Sequence, residues 1–207
     1  MIRVHHLDHS QSMRVLWLLE ELGLPYEIVP YARGRFKQAP DALKRIHPLG
    51  KSPVIEDDGQ VIAETGAIAE HLIDRAGGKL GPPSDAEERR RYRYFFHYSQ
   101  GSLMPAVLVS MLFGLVPVIG KLMRKGIKPF TDTHLDFVEA ELAKRPWMAG
   151  ESFTTADVMM GFPIEVAQAT FGDLGARPHL KAWLAKALDR PAYRAARAKG
   201  GDYNLKF

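Results

Sequence analysis

The chain has 207 residues, of which 46% are hydrophobic and 25% charged, a balance that excludes a disordered polypeptide. It contains no cysteine, which excludes disulfides, zinc–thiolate sites and a cysteine nucleophile, so any thiol chemistry must use a thiol carried by a substrate. The formal net charge of +4 is modest for a nucleic-acid binder, no aromatic–basic stripe accompanies it, and no nucleic-acid partner is expected.

The N-terminus, Met1-Ile2-Arg3-Val4-His5-His6, has neither a long apolar core nor a small-residue cleavage site, so no signal peptide is expected. Arg3 to Leu7 reads as a short strand. Ser12 to Leu24 carries a broad apolar stripe at helical spacing (Met13, Leu16, Trp17, Leu19, Leu22) that ends at Gly23. Tyr26 to Val29 alternates as a second strand, and residues 39–46 form a short helix starting near Pro40. Pro53 to Glu56 and Gln60 to Ala63 flank Asp57-Asp58-Gly59, the signature of a tight hairpin. A helix follows from Thr65 to Arg75. The order β-α-β-α-β-β-α predicts a small mixed sheet with helices on both faces.

Gly77-Gly78-Lys79-Leu80-Gly81-Pro82-Pro83 is the clearest linker. Beyond it the strand signals vanish. Ser84 with Glu87 predicts a capping box opening a helix, and helical patterns continue through Leu115, over 131–144, over 155–170 and over 179–188. The fold class is therefore α/β followed by all-α, with an N-terminal domain over 1–78 and a helical domain over 84–207. Residues 103–120 are free of charge, but Pro105, Gly114 and Pro117 interrupt them. A buried kinked helix or helix pair is expected there, and no membrane span.

Three clusters carry polar groups suited to chemistry. In Asp8-His9-Ser10-Gln11-Ser12-Met13-Arg14, a serine either caps the helix or, with exposed amides, faces an anion at the positive end of the helix dipole. In His47-Pro48-Leu49-Gly50-Lys51-Ser52-Pro53, a cis Pro53 would free the backbone of Ser52 to pair with an extended peptide; the plainer reading is a loop and edge strand. In Glu64-Thr65-Gly66, Thr65 is a plausible helix cap, and Glu64 with Thr65 would alternatively read an amino-acid head group. His5, His6, Asp8 and His9 do not make a metal site, because adjacent strand residues point to opposite faces. No metal is expected.

The order and spacing of these clusters resemble the N-terminal domain of soluble glutathione S-transferases. The run from Ser10 through Arg14, Trp17, Glu20 and Glu21 to Tyr26 and Glu27 looks like the serine-type branch found in bacteria and fungi, as does Gln100-Gly101-Ser102-Leu103-Met104-Pro105. Phe153-Thr154-Thr155-Ala156-Asp157-Val158 resembles the family's buried capping box and hydrophobic staple. The resemblance implies a thioredoxin-like domain holding glutathione as co-substrate and a helical domain shaping the second substrate's pocket. Counting back from Arg14, it implies that Ser10 hydrogen-bonds the glutathione sulfur, with Ser12 as the alternative. Lys51 would meet the glycyl carboxylate, Ser52 beside cis-Pro53 the cysteinyl unit, and Glu64 and Thr65 the γ-glutamyl end. Gln11 and His47 stand where the family often has arginine and asparagine.

The chemistry is bounded by ionisation. A thiol with a pKa of about 8.5 is roughly 3% thiolate at pH 7, so full ionisation is a gain of about 30-fold, or about 2 kcal/mol. One hydroxyl and a helix N-terminus suffice for that. Tyr92, Phe96, Ser99, Leu103 and Met104 fall near one face of the first long helix of the second half and would wall the electrophile, or simply pack the core. The expected function is transfer of glutathione to small hydrophobic electrophiles or reduction of organic hydroperoxides; the alternative is a non-catalytic ligand carrier, regulatory or stress protein of the same fold. A cytoplasmic homodimer is implied by the same resemblance.

Overall fold

The computed structural model describes residues 1–34, 38–114, 116–201 and 203–205, with Lys121 by its backbone alone. Leu115, where the periodicity closes a helix, lies outside these, as do Asp202 and the last two residues of the 84–207 span.

Strand β1 (Ile2–Leu7) lies inside a four-stranded sheet of order β2-β1-β3-β4. It pairs in parallel with β2 (Tyr26–Tyr31) and antiparallel with β3 (Val54–Asp57), which pairs antiparallel with β4 (Gln60–Ala63). A parallel neighbour in sequence needs a crossover, and α1 (Ser12–Leu22) supplies it. Pro30, which cannot donate to a ladder, is tolerated because β2 is an edge strand. Asp58 and Gly59 turn the hairpin with φ of 48° and 78°, the pair of positive values a two-residue type I′ turn requires.

Helix α1 buries nearly its whole length, from Ser12 to Leu19 and at Leu22. It stops at Gly23, whose φ of 75° is left-handed and whose amide returns to the Leu19 carbonyl. Lys79 Nζ then donates to the carbonyls of Glu21 and Leu22 at 2.7 and 3.2 Å, satisfying acceptors the last turn leaves open. Helix α2 (Ala42–Ile46) is shorter than the 39–46 expectation. Helix α3 (Thr65–Arg75) begins and ends where the pattern placed it. Buried Asp57 fixes it to the hairpin, accepting from His71 at 2.8 Å and pairing with Arg75 at 3.2 Å.

In the second half the elements are α4 (Ala86–Tyr98), a π-helical turn (Ser99–Leu103), α5 (Met104–Gly114), α6 (Gly120–Leu142), α7 (Thr155–Phe171) and α8 (Pro178–Leu188). The expected Ser84–Glu87 box is replaced: Asp85 is the N-cap and takes the amides of Glu87 and Glu88, both at 2.9 Å. The carboxylate's negative charge also suits the positive end of the helix. The Thr154–Asp157 capping box is present at the start of α7. None of the helices among the described residues is long and apolar enough to cross a membrane.

The structure adds a helix the sequence reading omits. Helix α9 (Pro191–Gly200) packs on α1. Trp17 meets Tyr193 edge-on at 5.1 Å, Arg190 grips Glu21 through two nitrogens at 2.5 and 2.8 Å, and Lys199 reaches Glu20 at 2.5 Å. The chain thus divides into one unit of Met1–Gly81 with Asp189–Asn204 and another of Pro82–Leu188 with Leu205. The segment Asp189–Asn204 of the expected 84–207 span thus groups with the first unit. Helix α9 is short and rich in Ala, Arg and Lys, so periodicity alone does not distinguish which surface its narrow apolar face covers.

Candidate functional site

Sheet register brings the three clusters to one edge. His5 pairs with Val54, and Val54 with Ala63. The residues just beyond that row are therefore neighbours: the Asp8–Ser12 turn after β1, Ser52 and Pro53 before β3, and Glu64 and Thr65 after β4. Side-chain bonds tie them together. Ser52 Oγ donates to the His5 carbonyl at 3.0 Å, and Thr65 Oγ1 donates to Gln11 Oε1 at 3.4 Å. Arg14, buried in the first turn of α1, bonds the same Gln11 oxygen. Gln11 occupies the cap position but makes no side-chain cap bond, joining instead the N-terminal turns of α1 and α3.

At the helix start the two serines divide their roles. Ser10 Oγ accepts the Ser12 amide at 3.2 Å, so it caps the turn locally, and it lies 2.8 Å from Ser12 Oγ. Ser12 Oγ lies 2.8 Å from His6 Nδ1, and His6 Nε2 lies 2.9 Å from the Gly200 carbonyl. Ser12 is wholly enclosed at 0% exposure, whereas Ser10 retains 6%. His6 is also buried. Burial pushes its imidazole below the ordinary value, against smaller raising effects of the Gly200 hydrogen bond and of Asp8. The sequence offers His6 only as a member of the rejected His5, His6, Asp8 and His9 metal cluster. A signal was present: Ile2, Val4 and His6 share one strand face, so an imidazole stands in an apolar row.

The turn itself is held from three sides. Asp8 donates its amide to the Tyr31 carbonyl at 3.0 Å, Arg33 donates to the carbonyls of Asp8 and His9 at 2.8 and 3.2 Å, and Asn204 donates its amide to His9 Nδ1 at 2.8 Å. His9 adopts a positive φ of 53°. On the opposite face of β1, His5 bonds Tyr31 at 2.9 Å and Glu56 at 2.8 Å. His5 and His6 thus serve different faces of the sheet.

The Ser52–Pro53 bond is cis. Lys51 is exposed and has no side-chain partner among the described residues. Glu64 is exposed, with φ 72° and ψ 125° and no side-chain cap bond to α3. Such a backbone costs about 1–3 kcal/mol for a residue with a Cβ and persists only where the surroundings impose it. Thr65 is buried and opens α3 without being its cap.

In the helical unit, Tyr92, Phe96, Ser99 and Leu103 are buried, and Met104 is half-buried. Tyr92 stacks on Phe96 at 5.7 Å, and Ser99 Oγ donates to the Phe96 carbonyl at 3.1 Å. Four of the five thus follow one face from α4 through the π-helical turn. A cavity of about 260 Å³ opens elsewhere, between α4 and α6, lined by Arg90, Arg91, Tyr94, Phe137 and Glu141 among others; it includes none of the five.

Comparison with known proteins identifies the family. Residues 1–74 match the model of the glutathione S-transferase N-terminal domain and residues 128–191 that of the C-terminal domain. The chain is similar to glutathione S-transferase 3 of Schizosaccharomyces pombe, 38% identical over 99% of this chain and 90% of the relative. It is 32% identical to glutathione S-transferase 1 of Saccharomyces cerevisiae over 100% of this chain and 98% of that one. A crystal structure of a glutathione S-transferase from Actinobacillus pleuropneumoniae superposes with a TM-score of 0.87 at 32% identity, covering 99% of this chain and 95% of the other. With full-length relatives on both counts and a matching model for each half, the chain belongs to the glutathione S-transferase family.

Proposed function

We propose that the protein is a glutathione transferase of the serine type, joining the glutathione thiolate to small hydrophobic electrophiles or using it to reduce organic hydroperoxides. The observation that carries this is the end-on position of Ser10: it is the less enclosed of two bonded hydroxyls at the N-terminus of α1, where the helix dipole favours an anion. Ser12 is committed inward to His6, which supports Ser10 as the group that meets the sulfur. A hydrogen bond to an anion is worth about 1.5–3 kcal/mol, enough to ionise a thiol at neutral pH. Holding thiolate and electrophile together supplies the remaining acceleration.

The tripeptide lies along the sheet edge. Lys51, cationic and unengaged, meets the glycyl carboxylate. Ser52 and Pro53 flank the cysteinyl unit, and Glu64 and Thr65 hold the γ-glutamyl end. The strained backbone of Glu64 supports that assignment, because it turns an exposed carboxylate out at the start of a helix that gains nothing from it as a cap. Tyr92, Phe96, Ser99, Leu103 and Met104 form the electrophile's wall. No step requires a metal. The working form is a cytoplasmic homodimer, for which sedimentation velocity of the purified protein is the check.

Calorimetric titration with glutathione, with turnover of an aryl halide and of an organic hydroperoxide on the same preparation, tests the reading. Saturable binding with turnover is expected, and Ser10→Ala should lower turnover about 10–100-fold. Binding without turnover would favour a ligand carrier of this fold. An effect of Ser12→Ala without one of Ser10→Ala would move the thiol contact by two residues.

A further inference from the structure

The two serines and His6 form a chain of hydrogen bonds whose direction is fixed by its far end. The Gly200 carbonyl can only accept, so His6 Nε2, 2.9 Å away, carries a proton. A neutral imidazole then has a bare Nδ1, and Ser12, 2.8 Å from it, must donate. The other acceptor in reach of Ser12, the Leu7 carbonyl, is at 3.4 Å and competes weakly. With its single proton spent on His6, Ser12 Oγ can only accept from Ser10 at 2.8 Å. Ser10 therefore points its own proton inward and presents an oxygen lone pair at the outer end.

We propose that His6, acting through Ser12 and Ser10, takes up the proton that glutathione loses, and that this transfer turns Ser10 into the donor the thiolate needs. This rests on the reading of Ser10 as the thiol contact. The step balances. The S–H bond breaks and its proton bonds Ser10 Oγ. The original Ser10 proton passes to Ser12 Oγ, and the original Ser12 proton passes to His6 Nδ1. The products are a thiolate and an imidazolium; no net charge is created. Both hydroxyls now point the other way: Ser10 donates to sulfur, Ser12 to Ser10, and His6 donates from Nδ1 to Ser12 and from Nε2 to Gly200. The same atoms serve both states, with only protons moved.

The setting keeps His6 neutral until a proton arrives, although burial opposes the imidazolium then formed. His6 is 2% exposed, and burial lowers its affinity for a proton. Asp8 acts in the other direction on the same strand's end. Ionisable groups on the surrounding elements are engaged elsewhere: on α1, Arg14 bonds Gln11 and Glu20 pairs with Lys199 of α9; Arg197 of α9 lies over the Tyr203 ring; on β2, Glu27 pairs with Arg3; and Arg33 holds the Asp8 and His9 carbonyls. His6 is a positioning residue, since it never touches substrate. Helix α9, which supplies Gly200, thereby fixes its tautomer.

The test uses the intact protein and four variants, reading the pH dependence of kcat/KM and the ultraviolet absorbance of bound glutathione thiolate. His6→Asn keeps an acceptor near Nδ1 that does not become a cation, and Ser12→Ala interrupts the chain. Each should raise the bound thiol's apparent pKa by about one, with kcat/KM down about tenfold on the acid side and restored at high pH, where hydroxide ionises the thiol. Ser12→Thr, which keeps the hydroxyl, should keep the bound thiol's apparent pKa at the wild-type value that Ser12→Ala loses. If Ser10→Ala raises the thiol pKa but neither His6→Asn nor Ser12→Ala does, the relay is wrong and the serine assignment stands. If Ser10→Ala leaves the thiol unchanged, the serine assignment itself fails and the relay with it. Should His6→Asn not fold, Ser12→Ala against Ser12→Thr decides alone.

Discussion

Replacing Asp157 with alanine should cost this protein about 3–5 kcal/mol of folding stability. The carboxylate is fully buried at the start of α7 and accepts from the amides of Met148 and Thr154, both at 2.9 Å, and from Trp183 Nε1 at 3.0 Å. The Thr154 hydroxyl, at 3.2 Å, can rotate to another partner. Truncation strands three donors, at about 1–3 kcal/mol each. It also removes a buried charge, and that offsets part of the loss. Burial raises the Asp157 carboxyl from 3.8 to about 6, so at neutral pH the charged form costs the fold about 3 kcal/mol. The balance falls in the range measured for breaking a buried polar network on one side. Urea unfolding at pH 7, followed by circular dichroism, measures it. Asp157→Asn separates the two contributions. Because the folded-state pKa is above the unfolded one, the native protein holds a proton that the unfolded chain has released between pH 3.8 and about 6. Wild-type stability relative to Asp157→Asn should therefore be highest below pH 3.8 and fall by about 3 kcal/mol as the pH rises through that value and past about 6. A loss below 1 kcal/mol for Asp157→Ala at pH 7 would refute the donor accounting. A flat difference between wild type and Asp157→Asn over that window would refute the raised pKa.

Two further substitutions probe the first unit. Glu64→Gly should relieve the φ of 72° and stabilise the fold by about 1 kcal/mol, while weakening glutathione binding in calorimetry at least several-fold; stabilisation with unchanged affinity would remove Glu64 from the site. Gly200→Val should cost about 1–3 kcal/mol in urea unfolding, because a Cβ there comes within 2.6 Å of Met13 Cε and 3.0 Å of Leu16 Cδ1 in the seam of α1 and α9. A variant as stable as wild type would mean that α9 packs otherwise.

Much of this architecture is legible in local chemistry. The Asp58-Gly59 turn, the Gly23 stop of α1, the α3 boundaries and the Thr154–Asp157 box each depend on a few adjacent residues whose conformational preferences are intrinsic. The three candidate clusters stand out in the sequence for the same reason: each is a loop whose residue types announce a helix start or a proline-led strand. Where signals compete, local reading falters. Ser84 and Asp85 are both good caps, and only the backbone's path selects Asp85.

The sequence by itself determined the strand and helix order of the first half, the helical nature of the second, and the residues on which glutathione chemistry is proposed to rest, because periodicity, turn chemistry and capping are properties of neighbouring residues. Only the tertiary structure decided that α9 returns to α1 and that His6 and Gly200, 194 residues apart, share a hydrogen bond. Contacts across that separation leave no periodic trace: a histidine in a strand and a glycine at a helix end acquire their roles only when packing puts a carbonyl beside an imidazole.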